Sequence, residues 1–280
     1  MVDSNALLKP FIEDLHQSGR LRVWSIVITI FGDLVQPRGG RISLQELLTL
    51  TEKIGIEGNA LRTAMSRLAK EGWVERFKDG RNSHYGLSNS GKATFLAASE
   101  RIYQPNFSSD CSDWIVGLYP EEKSKQNAEA FWSLMIGKRM VICSTEDKQL
   151  LEKDGAFVLS ASPNEIPDWV RSELVPHNLT LQYRHLLYKL TELESNSRSL
   201  AALSPLSAIT LRYLMIHFWR RLVLRHPLLP KGLMTDDWEG IKSHTRICDL
   251  YPEIANISEA WWEKPTQKSG LKIIHERFHN

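Results

Sequence analysis

Residues 58 to 88 limit what this chain can fold into more than any other stretch, because a helical period gives way within a few residues to a hairpin pattern. Between Gly58 and Gly72, Leu61, Ala64, Met65 and Leu68 recur at three- and four-residue spacing and so lie on one stripe of a helix. Asn59, Arg62, Thr63, Ser66 and Lys70 fall on the opposite face, with Arg67 beside them. Gly72 ends the helix. Trp73 to Lys78 and Ser83 to Ser88 then read as two short strands around Asp79-Gly80, a strong turn signal, and Arg76, Lys78 and Arg81 sit near its tip. Upstream, Ser43 and Glu46 have capping-box spacing, and Leu44, Leu47, Leu48 and Ile54 predict a second amphipathic helix that Gly55 breaks.

Helix, tight turn, helix and basic hairpin are the parts of a winged helix-turn-helix, with the second helix as reader and the hairpin as wing. The outer face of that helix offers amide, hydroxyl and cationic groups, which hydrogen-bond base edges and phosphates in a major groove. The bland reading is a helix pair whose Arg and Lys are merely solvated. Solvated faces carry Glu as often as Lys, and this one has little acidic charge at its centre. Charge is local as well: residues 20–104 hold 13 Lys or Arg against 8 Asp or Glu, whereas residues 105–280 hold 21 against 22. A basic front with a nearly neutral remainder suits a regulator whose first module meets phosphates while the rest binds something else.

At 280 residues the chain has room for two or three domains, and its composition is that of a globular protein. No apolar run approaches a membrane-spanning length, and the amino terminus carries no secretory signal, so the expected compartment is the cytoplasm. Ile26 to Phe31 reads as a buried first helix of the DNA-binding domain. Cys111, Cys143 and Cys248 are odd in number and widely spaced, which argues against a disulfide framework or a thiolate metal site. The polar linker from Pro105 to Asp110 closes a first domain over 20–104. A second, over 111–168, alternates a strand at Trp114–Tyr119, a helix at Glu121–Ile136, a strand at Arg139–Cys143, a helix at Glu146–Lys153 and a strand at Ala156–Ser160. That order suggests a small α+β, ferredoxin-like domain. From 169 to 280 helical stretches dominate, around 169–195, 205–225, 236–249 and 253–262.

Within this third region Leu211, Leu214, Met215, Phe218 and Leu222 form an apolar stripe, and Pro227 and Pro230 stop the helix. Its arginines Arg212, Arg220, Arg221 and Arg225 can hold the phosphates of an acyl-coenzyme A, with Trp219 or Tyr213 as a stacking surface. Salt bridges to acidic neighbours account for each single arginine equally well.

The chain resembles the phenylacetic-acid degradation repressor (PaaX) family of bacterial transcription factors over most of its length. The resemblance is carried by Phe31-Gly32-Asp33 with Arg38-Gly39-Gly40, Arg67-Leu68, Glu71-Gly72-Trp73, and Gly80-Arg81 with Ser83 and Tyr85. It continues through Ile102-Tyr103, Trp114, Ile216-His217-Phe218 and Arg220-Arg221 to Pro227-Leu228-Leu229-Pro230. What it implies is an α+β protein with an N-terminal winged helix-turn-helix, a central ferredoxin-like (Cas2-like) domain and a C-terminal helical domain. It also implies a homodimeric repressor that leaves double-stranded operator DNA on binding an aryl-CoA thioester such as phenylacetyl-CoA. The chain departs from the family at Asn82 and His84 of the wing and in its short tail.

Enzyme readings find little footing. No nucleophile elbow, phosphate-binding glycine loop or dinucleotide fingerprint occurs. A Cas2-like nuclease would need carboxylates at the end of its first strand, but that strand ends Gly117-Leu118-Tyr119, with Glu121 and Glu122 only beyond Pro120. His244 with Cys248 and His275 with His279 have metal-ligand spacing but no third ligand nearby, so no metal or other cofactor is expected. The alternative to the repressor is an acyl-CoA-binding protein or enzyme carrying a nucleic-acid module.

Overall fold

The computed structural model describes residues 6–17, 21–79, 82–105, 113–120, 134–136, 139–145, 148–162, 165–175, 177–225, 233–235, 237–262 and 277–278. The fold is α+β. Helices α1 (Lys9–Gln17) and α2 (Val23–Ile30) lead into a π-helical turn at Phe31–Val35 and a tight turn at Gln36–Arg38. Strand β1 (Ile42–Ser43), helices α3 (Leu44–Glu52) and α4 (Gly58–Lys70), the hairpin β2 (Val74–Asp79) and β3 (Asn82–Leu87), and helix α5 (Asn89–Tyr103) follow. Next come β4 (Trp114–Leu118), β5 (Leu134–Ile136), β6 (Met140–Ser144), α6 (Lys148–Lys153) and β7 (Phe157–Ala161). Helices α7 (Asp168–Leu174), α8 (His177–Ser195), α9 (Ser197–Ala201), α10 (Pro205–Val223) and α11 (Glu239–Glu259) end the series.

Contacts divide the chain into two compact units. The first takes residues 1–104, 188–221 and 245–280, and the second takes 105–187 and 222–244. The helical region from 169 onward is therefore shared between units rather than standing as one of its own. In the second unit β4 to β7 form a sheet ordered β5-β6-β4-β7, with every neighbouring pair antiparallel. The period of two places Ile115, Val141 and Cys143 on one face, where Leu151 of α6 covers them.

Three expectations about elements need correction. Leu134–Ile136 is a strand paired with β6, not the end of a helix; residues 121–133 lie outside the described ones. The stretches 236–249 and 253–262 are one helix, α11, which runs through Pro252. Proline removes one helical hydrogen bond, but Ile247, Leu250, Tyr251, Ile254 and Ala255 are all buried, so packing on both sides of it holds the helix together. The stretch 169–195 divides into α7 and α8.

The core of the first unit is built on α10. This helix is buried nearly all round, so it is an interior helix rather than a surface amphipath. Tyr213 donates to the Leu50 carbonyl of α3 at 2.8 Å, and the Trp219 indole donates to the Ile102 carbonyl of α5 at 2.7 Å. Between them Arg212, fully buried, faces Asp33 in the π-helical turn. Its Nε donates to Asp33 Oδ2 at 2.8 Å and Nη2 to the Asp33 carbonyl at 3.1 Å and the Tyr251 hydroxyl at 2.9 Å. Nη1 reaches Ser258 Oγ and Glu259 Oε1, each at 3.3 Å, so all five guanidinium donors are satisfied. Arg277 approaches the same turn, donating to Asp33 Oδ1 at 2.9 Å and to the Gly32 carbonyl at 3.0 Å. A π turn shifts the backbone ladder by one residue and leaves carbonyls short of partners, and the two guanidinium groups supply them. Tyr103 and Tyr251 donate to Asp33 Oδ1 at 2.9 and 2.7 Å. Burial, reinforced by the Asp33 charge, pushes the Tyr251 phenol up to about 12 and the Tyr103 phenol well above its ordinary range, so both remain donors.

Removing one member of such a cluster strands a buried charge. Arg212→Ala is expected to destabilise the protein by about 3 to 5 kcal/mol in denaturant titrations. A loss below about 1 kcal/mol, the range of exposed ion pairs, would show that Asp33 does not depend on Arg212.

Candidate nucleic-acid interface

Helix α4 follows its sequence pattern closely. Leu61, Ala64, Met65 and Leu68 are buried, while Asn59, Arg62, Thr63, Ser66, Arg67 and Lys70 are all exposed. Helix α3 is fixed beside it by a complete capping box: Glu46 N donates to Ser43 Oγ at 3.1 Å, and Ser43 N donates to the Glu46 carboxylate at 2.7 Å. The two helices meet closely, since a Cβ on Gly58 would stand 3.1 Å from Leu48 Cδ2. Gly72, at φ 75°, takes the left-handed conformation that ends α4, and Trp73 N returns to the Leu68 carbonyl at 2.9 Å.

The outward groups differ in how free they are. Arg67 is paired with Glu71 at 2.7 Å, one turn along the same helix. Among the described residues Arg62 donates to Asn59 Oδ1 alone, at 3.3 Å, and Thr63 donates back to the Asn59 carbonyl at 2.9 Å. Arg62 and Lys70 have no ion-pair partner among the described residues and are the cations most available to a ligand.

The hairpin leaves the end of α4 directly. Val74 pairs with Leu87 at its buried base, and the ladder continues in register to Asp79 opposite Asn82. Strand β1 adds to its edge, Ile42 opposite Tyr85. Arg76 and Lys78 are exposed; Arg76 Nε donates across the hairpin to Ser83 Oγ at 3.0 Å. Arg81 lies outside the described residues. Sequence reasoning missed Arg41, which is exposed and stacks over the Phe77 ring at 4.1 Å. The two glycines before Arg41 were the available signal, because they announce a tight turn that delivers it to the sheet edge.

The residues expected to hold an effector are distributed otherwise than the sequence suggested. Arg212 and Trp219 are fully buried, with their donors committed to the protein as described above. Arg220 donates from Nη2 to Ser25 O at 3.0 Å and Ser25 Oγ at 2.7 Å. These three side chains hold α10 to its neighbours and form no open anion cradle. Arg221 is half-buried, and Arg225 alone of the five is exposed. An open cleft of about 600 Å³ lies instead along α5, with Lys92, Phe95, Leu96 and Arg277 among its lining. No helix among the described residues is long and apolar enough to cross a membrane, and none of their His, Cys, Asp or Glu side chains gather in groups of three or more able to hold a metal ion. His275 and His279 lie outside the described residues.

A family model described as PaaX-like protein matches residues 22–91, and one described as PaaX-like protein C-terminal domain matches residues 176–264. The chain belongs to the PaaX-like protein family. The Transcriptional repressor PaaX of Escherichia coli (strain K12) is 27% identical over 282 residues, covering 91% of this chain and 87% of the relative. Among solved structures, the uncharacterized protein Rv0674 from Mycobacterium tuberculosis shares the fold, with a TM-score of 0.53 and 18% identity over 84% of this chain and 97% of that one.

One buried group of α10 gives a pH test. Thr29 Oγ1 donates to the Ser25 carbonyl at 3.1 Å, which leaves His217 Nδ1, 3.1 Å away, as the donor to that hydroxyl. Burial, with Arg220 and Arg221 close by, lowers its pKa well below the ordinary histidine value. The unfolded chain takes up a proton near pH ~6.5 that the folded chain refuses, so this contribution is full above that pH and is lost as pH falls, at up to about 1.4 kcal/mol per unit. Denaturant titrations of the native chain and His217→Gln should therefore diverge in slope between about pH 7.5 and 5. Parallel curves would mean that His217 takes up its proton in the fold as readily as in the unfolded chain.

Proposed function

We propose that this chain is a DNA-binding transcriptional repressor of an aromatic-catabolism operon of the phenylacetate type, acting in the cytoplasm. The observation that carries the proposal is the outer face of α4, where Asn59, Arg62, Thr63, Ser66, Arg67 and Lys70 stand exposed beside the cations of the hairpin. In this reading residues 20–104 contain a winged helix-turn-helix: α3 supports, α4 reads the major groove, and the hairpin is the wing that carries Arg76, Lys78 and Arg81 to phosphates. Residues 111–168 form the ferredoxin-like domain, for which the antiparallel order β5-β6-β4-β7 speaks, and the helices after 169 are divided between the two compact units. The family name of the relative and the absence of catalytic motifs from the sequence both favour a repressor over an enzyme.

The repressor acts as a homodimer, because one reader helix and one wing make few contacts and a twofold protein engages two half-sites. The sheet of the second unit offers a surface for a second copy: Leu118 opposite Phe157, next to Leu159, are 36%, 64% and 43% exposed, and all three lie on the face opposite the Leu151-covered core. Release follows when an aryl-CoA thioester binds preferentially to an arrangement in which the two reader helices no longer match their half-sites. Arg225, the exposed member of the arginines after residue 211, remains available to its phosphates.

A titration of the purified chain against DNA upstream of its own gene, with and without an aryl-CoA, tests the proposal. Tight binding that the thioester reverses without being hydrolysed is expected, and Arg62→Ala should weaken it by about 1 to 3 kcal/mol if Arg62 reads a guanine. Turnover of the thioester, or no preference for that DNA over unrelated sequence, would favour the acyl-CoA-binding or enzymatic alternative. Phe157→Glu should convert the sedimenting species from dimer to monomer; an unaltered dimer would place the interface elsewhere.

A further inference from the structure

We propose that Arg41 is a second phosphate contact of the hairpin, made from the face opposite to Arg76 and Lys78, so that the hairpin presents cations to two rows of phosphates rather than one. The inference rests on the DNA-binding reading above. Along β2 the alternation of side chains puts Arg76 and Lys78 on one face and Glu75 and Phe77 on the other. The second face would then be acidic on its own. Arg41 changes its sign, because its guanidinium lies 4.1 Å over the Phe77 ring on that face.

The contact is suited to anion capture. Stacking engages the flat face of a guanidinium and leaves its five N–H donors pointing outward in the plane, the geometry in which arginine binds phosphate bidentately. Arg41 is exposed and has no carboxylate partner among the described residues. In this it differs from Arg67, which Glu71 neutralises.

The backbone that carries Arg41 is held from both sides. Gly39 and Gly40 take left-handed conformations, with φ 86° and 76°, and turn the chain sharply between Arg38 and Arg41. Arg38 is anchored in the interior, paired with Glu259 and stacked on the Trp262 ring at 4.4 Å. Gly40 N donates to the Val35 carbonyl at 3.0 Å. Beyond the turn, Ile42 pairs with Tyr85 in the sheet. The turn also sits directly against β3, since a Cβ on Gly86 would stand 2.5 Å from the Gly40 carbonyl oxygen. One arginine of the turn is thus spent inside the fold so that the other can be presented outside it, already ordered on an aromatic platform. Ordering a long side chain before binding reduces the entropy lost at the interface.

A hairpin with cations on one face lies along a single strand of DNA, whereas one with cations on both faces fits between two phosphate rows, the walls of a groove. The test uses the full chain and a fluorescent duplex from upstream of its gene, titrated over a range of salt. Arg41→Ala should weaken binding about threefold to tenfold near 0.1 M salt and flatten the log–log salt slope by about one. Phe77→Leu, which keeps every charge, should weaken binding while leaving the slope unchanged. Ethylation interference should place the phosphates that become silent in Arg41→Ala on the strand opposite to those that become silent in Arg76→Ala. If the native chain binds and Arg41→Ala matches it in affinity and slope, or if both variants silence the same strand, this proposal is overturned and the repressor reading stands. A native chain with no salt-dependent DNA binding would overturn both.

Discussion

The first unit depends on one buried carboxylate. Asp33 sits in a π-helical turn at the end of α2 and is 1% exposed, a location in which an unpaired charge would be prohibitive. Arg212 of α10, Arg277 near the carboxyl terminus, Tyr103 of α5 and Tyr251 of α11 all converge on it. Every one of these elements is remote in sequence from residue 33, so the cluster specifies which helices meet and in what register. A buried ion cluster adds little net stability over a well-packed apolar core, so what we attribute to this one is the register in which these helices meet more than stability.

The consequence for function is positional. Helix α10 carries the cluster on one part of its surface and binds α3 and α5 through Tyr213 and Trp219 on others. The helix before α4 and the helix after the hairpin are therefore both referenced to the same spine. Arg38 extends the same network to the glycine turn at the edge of the hairpin sheet. The outer surfaces of α4 and the hairpin take no part in it, which leaves their amide, hydroxyl and guanidinium groups exposed. A rigid interior behind a polar, cationic front is what reading a duplex requires.

The sequence revealed the front better than the interior, for a physical reason. The α4 stripe and the Asp79-Gly80 hairpin are local patterns, in which residues a few positions apart share a face, and both lie within a residue or two of where they were expected. Helix α5 escaped notice because little of it is buried beyond Gly91, Ile102 and Tyr103, and Leu96 is exposed, so its period is weak. The sequence left two readings open for the arginines of α10, because composition cannot separate an anion-binding arginine from one that neutralises a carboxylate. The carboxylate that decides the matter for Arg212 is 179 residues away in the chain. Pro252 falls inside α11, a local stop signal overruled by burial on both sides.

The claim that the exposed faces of α4 and the hairpin are the DNA-binding surface can be tested most directly by hydrogen exchange of the full chain, free and bound to duplex DNA from upstream of its gene. The account predicts slowed exchange on binding in peptides covering residues 58–70 and 74–87, with peptides from the already protected α10 unchanged. Slowed exchange confined to the second unit, with residues 58–87 unaffected while the DNA is bound, would contradict it.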